Sequence, residues 1–533
     1  GSTHRHGNVA RRDRATRGEL VHAAVDREGV TRGEGRSARA EVTLDIFLLE
    51  KERLLKAAAF YPYLVYPITN QEGIHLSFPQ LVAQMPFNNE ADYRNYLSRI
   101  DALPRHIDGL IEQMREGMKS GWVAPKAAVR AVPAMLQQLR EELVTGNLGL
   151  PFREIPGTIP KGVRDELAQA GPAALRTRAA PALQKLEEFL RSEYLPAARE
   201  AIVNAGGAEY YQFLVSASTE LRAAEVHALG LKEVARIRAE MAAAIARTGF
   251  KGSFKEFVVF ANNDPRLFAS SPELLLARYR RIVNRASTGL PRLFLNVPAE
   301  ELVVKPMQAL GADKQGAAYY EAGAADRPAA LVINTSKLET RPLWETETLA
   351  LHEGVPGHHL QAARARELVD LPAFRRFGWY GAFGEGWALY AESLGADLGF
   401  YRDAFSAFGH LNAALLRAAR LVADTGIHTQ GWTRQQAIDY LAANTANAPA
   451  DNEVEVDRYI AAPGQVLGYK LGQMKIEALR EKARAALGER FDLRRFHEAL
   501  LDNGPLPLPL LEQQIERWIK SEAKAALPEK AAS

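Results

Sequence analysis

The chain has 533 residues, 47% hydrophobic and 25% charged, enough for a sizeable core in one large helical body or in two to four domains. It has no cysteine, which excludes disulfide frameworks, thiolate metal sites and cysteine nucleophiles and leaves His, Asp and Glu as the metal-binding side chains. The formal charge of +3 comes from the first forty residues, with nine Arg against five acidic; the rest holds 58 basic and 59 acidic residues and offers no footprint for nucleic acid.

No apolar run approaches the ~20 residues a membrane span needs, and no signal-peptide pattern is visible. The expectation is a soluble protein without membrane insertion, in either the cytoplasm or the periplasm. Residues 1–40 are rich in Arg, Gly and Ala and are expected to form a basic, poorly ordered tail, with a short helix at 20–25. Helical patterning starts near Val42. Residues 60–67 carry two prolines among aromatics and read as an irregular packed segment. Residues 90–146 predict two or three amphipathic helices, broken near Pro104 and at 122–125. A connector with three Pro and three Gly follows at 147–162, then helices over 162–204, 219–248 and 272–287. His227 lies in one of these and is expected to be structural, because no second metal-type residue accompanies it. Together they predict a helical lobe over 41–289.

A second lobe, 290–533, is expected to carry the chemistry. Short β-type runs at 302–304, 318–320 and 330–333 predict a small sheet, whose edge strand suits an extended peptide. Helical patterning returns over 372–425 and 455–487.

Between the sheet and those helices lies Leu351-His352-Glu353-Gly354-Val355-Pro356-Gly357-His358-His359-Leu360-Gln361. A zinc hydrolase needs imidazoles on the metal, a carboxylate beside them as general base, and an open position for water. The spacing is not H-E-x-x-H. On a straight helix, His352 and His358 diverge by six steps of ~100°, while His352 and His359 share a face ~10.5 Å apart. Pro356 cannot continue a regular helix and Gly357 tolerates unusual dihedrals. A bulge at 354–356 that absorbs two residues makes His352 and His358 the preferred ligands, with His359 in reserve and Glu353 as general base. The next candidate stretch is Gly384-Glu385-Gly386-Trp387-Ala388-Leu389-Tyr390-Ala391-Glu392. Its two carboxylates, seven apart, share a helix face. Glu385 is expected as third ligand, and Glu392 as the partner that holds a ligand imidazole.

These stretches resemble a large bacterial family, domain of unknown function 885, and through it predicted zinc peptidases. The likeness runs from about Ala40 to about Glu489 and includes the aromatic-proline segment at Phe60 and Pro463-Gly464-Gln465. The motif layout is similar to the thimet-oligopeptidase and carboxypeptidase Taq families, in which H-E-x-x-H precedes a helix bearing a Glu ligand and a second Glu seven residues on. This chain departs by two inserted residues. The resemblance implies Zn2+ as cofactor, a short peptide as substrate, and a Tyr that stabilises the oxyanion. Tyr469 matches that position best, with Tyr459 in reserve.

Further along, Arg420, Asp424 and His428 recur at every fourth position. They predict an ordinary Arg420–Asp424 helix pair and an Asp424-oriented His428 in the cleft, unless Gly426 ends the helix first. Arg458 is the preferred holder of a substrate carboxylate, ahead of Lys470 and Arg480. The expected whole is a mainly α, two-lobed helical body with a deep cleft, a small β-sheet wall and a zincin-like (gluzincin) metal site. Alternatives are a metal-dependent amidase acting on a non-peptide metabolite, and a helical binding protein with a lapsed site.

Overall fold

The computed structural model describes residues 37–60, 66–307, 316–324 and 327–524. Of the tail expected over 1–40, residues 1–36 with the short helix at 20–25 lie outside them, as do residues 61–65 of the aromatic-proline segment; residues 38–40 are helical rather than tail. The architecture is mainly helical with one three-stranded sheet.

The first described helix, Ala38–Ala58, begins four residues before the patterning suggested, because Ser37 caps it by accepting from the Ala40 N–H. Helix α1, Glu90–Lys119, runs unbroken through Pro104. An interior proline costs ~3 kcal/mol or more. Here Tyr93, Tyr96, Ile100, Leu103, Ile107, Ile111 and Met114 form one buried stripe across it. At about 1.5–3 kcal/mol per buried side chain, the stripe outweighs the proline. The break at 122–125 is present. This helix packs with the chain from Tyr66 to Tyr194 into a core of its own.

Helix α2, Ala223–Arg247, packs along the later helix Ala404–Thr429, tightly at Gly230, where a Cβ would lie 2.8 Å from Leu421 and Val422. His227 is buried there and bonds the Thr425 hydroxyl at 2.8 Å, a structural histidine. Helix α3, Pro272–Gly289, leads into the sheet of β1 (Leu302–Pro306), β2 (Ala318–Glu321) and β3 (Ala329–Ile333). The order is β1-β3-β2, with β1/β3 parallel and β2/β3 antiparallel. Central β3 is an apolar run buried throughout, as a strand covered on both faces requires. Strand β2 lies at an edge.

The helices that follow are α4 (His358–Glu367), α5 (Gly381–Ser393), α6 (Ala404–Thr429), α7 (Pro449–Ala461) and α8 (Leu467–Leu487). Helices α5 and α8 cross glycine on glycine: a Cβ on Gly472 would sit 1.8 Å from the Ala382 carbonyl oxygen and 2.8 Å from the Gly386 Cα. Leu351, Val355, Leu360, Phe383, Trp387 and Tyr390 tie α4, α5 and the segment before them into the largest core.

Three expectations in this region are corrected. Arg420 does not pair with Asp424; it makes a bidentate pair with Glu455 of α7, at 2.9 and 2.8 Å. A partner in fork geometry on the adjoining helix outcompetes the i,i+4 neighbour. Asp424, fully buried, instead accepts from the Tyr211 hydroxyl and the Gly464 N–H. Helix α6 also runs past Gly426 to Thr429, with the Trp432 indole resting where a side chain would be. His428 therefore stays helical but faces the core: its Nδ1 accepts from the Asn204 N–H at 3.1 Å and its Nε2 donates to the Tyr459 carbonyl at 2.9 Å.

Candidate metal centre

The His-Glu stretch is neither a straight helix nor a helix with a single bulge. The helix Thr346–Leu349 widens into a π turn, Ala350–Gly354, and then stops. Such π turns are frequent at functional sites. Residues 355–357 turn, the Val355–Pro356 peptide is cis, and α4 starts at His358. At the turn the chain passes against its own preceding carbonyls: a Cβ on Gly357 would lie 1.9 Å from the His352 oxygen and 2.3 Å from the Leu351 oxygen. The Trp387 indole donates to the Pro356 carbonyl at 2.9 Å, which ties the turn to α5 two residues from Glu385. Gly357→Ala is expected to force this turn open, destabilising the protein by about 1–3 kcal/mol and lowering its capacity for metal; thermal unfolding and zinc titration check both.

The break brings His358 back to His352. Their ring centroids lie 4.8 Å apart, nearly perpendicular. Glu385 Oε2 stands 3.6 Å from His352 Nε2 and 3.4 Å from His358 Nε2, and one atom from each of the three residues falls within 4.8 Å of the others. These separations are long for hydrogen bonds. The two Glu385 separations are close to the ~3.4 Å edge of a tetrahedron with Zn–N and Zn–O bonds of about 2.0–2.1 Å. The other ring nitrogen, His352 Nδ1, meets the buried carboxylate of Glu392 at 2.7 Å. That contact fixes the proton on Nδ1 and turns the Nε2 lone pair toward the cluster. Glu353 Oε1 lies 4.0 Å from His352 Nε2, and its Oε2 accepts from the Tyr320 N–H of edge strand β2 at 3.0 Å.

The charges fit a cation. Burial works against a charged His352, but Glu385, Glu392 and Glu353 outweigh it and carry the imidazole up to about 9, so a metal ion at Nε2 would displace a proton held there by the same carboxylates. Burial also pushes the Glu385 carboxyl up, yet both imidazoles together hold it well below the usual carboxylate range. Glu392 is held low, against its burial, by Arg417 at 3.5 Å and by His352. Three carboxylates thus face one guanidinium around two imidazoles, a donor set suited to a divalent ion. Glu392→Gln is expected to weaken zinc binding about 10–100-fold with the fold intact, as read by competition with a chromophoric chelator; unchanged affinity would show that Glu392 does not orient the site.

The remaining positions divide. His359 is buried apart from the cluster, with Nε2 donating to the Glu300 carbonyl at 3.0 Å and its ring against Tyr320, so it is not the alternative ligand. Tyr459 is fully buried and donates to Glu455 at 2.9 Å, which removes it as an oxyanion donor. Arg458 is engaged by Gln465, at 2.7 Å, and by the Tyr469 hydroxyl, at 3.1 Å. Tyr469 is half-buried, with Arg420 over its ring, and stands between Gly468 and Gly472, which pack on α5. Lys470 is buried against Glu233 at 3.2 Å, and Arg480 lies beside Tyr390. Sequence reasoning missed the Tyr320 N–H, a backbone donor with no signature in residue type. It also missed Arg417, which belongs to the same helix as the residues singled out at 420–428.

The fold and this cluster define a mainly helical protein with a candidate metal centre between a small sheet and two helices. The chain belongs to the family described as bacterial protein of unknown function, DUF885, whose model matches residues 2–515. It is similar to the putative lipoprotein from Colwellia psychrerythraea, with a TM-score of 0.89 and 28% identity over 95% of this chain and 91% of that one. The fold also matches a putative lipoprotein of unknown function from Shewanella oneidensis, with a TM-score of 0.64 and 16% identity over 93% of this chain and 91% of that one. No curated protein matches. Among the described residues, no helix is long and apolar enough to cross a membrane.

Proposed function

We propose that this chain is a zinc-dependent peptidase acting on short peptides. One observation carries the reading: His352, His358 and Glu385 converge on one point, with Glu353 beside it and anchored by a backbone donor. His352, His358 and Glu385 would hold the zinc. Bound there, zinc supplies Lewis acidity that polarises a carbonyl and acidifies water. Glu353 takes the proton from the attacking water and returns it to the leaving amine. The Tyr320 N–H keeps one carboxylate oxygen fixed, so the other is free to face the substrate. Tyr469 is the oxyanion donor that the family resemblance implies; its hydroxyl accepts from Arg458, so its own phenolic proton is not used in that contact.

An extended peptide would add along the edge of β2 that no described strand covers, beside Tyr320, whose own N–H stays on Glu353. The two-lobed arrangement with a deep cleft belongs to this proposal. It is supported by the separate cores around α1 and around the metal centre, and it would admit short peptides while excluding folded proteins. Of the two compartments open to the sequence, we favour the periplasm, which agrees with the likeness to the putative lipoprotein from Colwellia psychrerythraea. The test is a library of short peptides beside a panel of non-peptide amides. Peptide cleavage is expected, abolished by a chelator and restored by zinc; turnover of non-peptide amides alone would contradict the proposal.

A further inference from the structure

Trp379 is out of place for a structural side chain. Its residue is 60% exposed, yet its ring lies 5.9 Å from that of His358. A large indole left in water is unfavourable unless something covers it. The indole is also positioned rather than loose. It lies over Gly384, where a Cβ would come within 2.4 Å of the ring, and Gly384 directly precedes Glu385. Gly384 thus makes room for the indole beside the cluster. The residues leading to it are exposed and apolar as well: Phe374 at 43% and Phe377 at 64%. A guanidinium, Arg376, sits over the Phe377 ring at 5.1 Å.

Resting on the peptidase reading above, we propose that Trp379 is the wall of a subsite for a large apolar or aromatic side chain next to the scissile bond of the peptide. A ring edge-on or offset against the indole would cover the exposed face. Trp379 reaches the cluster from the His358 side, whereas β2 reaches it through Glu353. A peptide backbone along β2 and a side chain on Trp379 therefore make separate demands on the substrate. The alternative occupant of an exposed indole is a cationic side chain. Arg376, which sits over the ring of Phe377 two residues before the indole, already brings a positive charge to this stretch of chain and so disfavours a second one.

The test reads binding, not turnover. Zinc-loaded Glu353→Gln protein is titrated calorimetrically with three pentapeptides that carry Phe, Ala or Lys at the centre of four glycines. The Phe peptide is expected to bind about tenfold or more tighter than the Ala peptide. Adding Trp379→Ala should erase that difference with zinc content unchanged, and Trp379→Phe should restore part of it. Equal binding of Phe and Ala, a preference that survives Trp379→Ala, or tightest binding of Lys would each overturn the subsite while leaving the peptidase reading standing. No binding of any peptide to the zinc-loaded protein would overturn both.

Discussion

Glu353→Gln protein is expected to bind zinc as tightly as the parent chain and to hydrolyse peptides roughly a thousandfold more slowly. The expectation follows from what the amide can and cannot do. It keeps the shape of the side chain, and an oxygen can still accept from the Tyr320 N–H. It cannot take a proton from water, and the loss of a positioned base costs typically about 10²–10⁴ in rate. Because Glu353 is not one of the three converging residues, zinc content should not fall. Steady-state hydrolysis of a cleaved library peptide, with metal analysis of the same samples, checks both halves. Near-normal turnover would remove Glu353 as the base.

The second large effect separates two neighbouring histidines. His358→Ala removes one of three converging donors. Its loss of zinc affinity should exceed the roughly 10–100-fold typical of losing an outer partner. His359→Gln should leave zinc binding near normal, since His359 bonds the Glu300 carbonyl instead. Its cost appears as stability, about 1–3 kcal/mol for disturbing a buried hydrogen bond. Zinc retained after dialysis and the denaturant midpoint of each variant distinguish the two. Equal loss of zinc in both would mean that the turn at 355–357 is not as described.

The contrast between these histidines shows what was legible in the residues. The elements of the site could be read because His-Glu followed by paired His, then two Glu seven apart, has few other physical uses. The choice of His358 followed from asking how Pro356 and Gly357 interrupt a helix. The manner of the interruption was not legible. A π turn and a full break, with Gly357 pressed on the His352 carbonyl, depend on the packing of Trp387 from another helix. The same limit explains the corrected pairs. Arg420 found Glu455, thirty-five residues away, rather than its helical neighbour Asp424. Pro104 broke a local rule because a stripe of seven buried side chains outweighed it. The small sheet was readable from its β-type runs between glycines and prolines. That its free edge would supply a backbone donor to Glu353 was not, since a main-chain N–H is common to almost every residue.

The most direct test of the central claim is an anomalous-difference map, recorded at the zinc edge, from crystals of the zinc-loaded protein. One strong peak per chain is expected between His352 Nε2, His358 Nε2 and Glu385, with Glu353 beside it but not bound. No peak at that point, or a peak ligated by His359 instead, would contradict it.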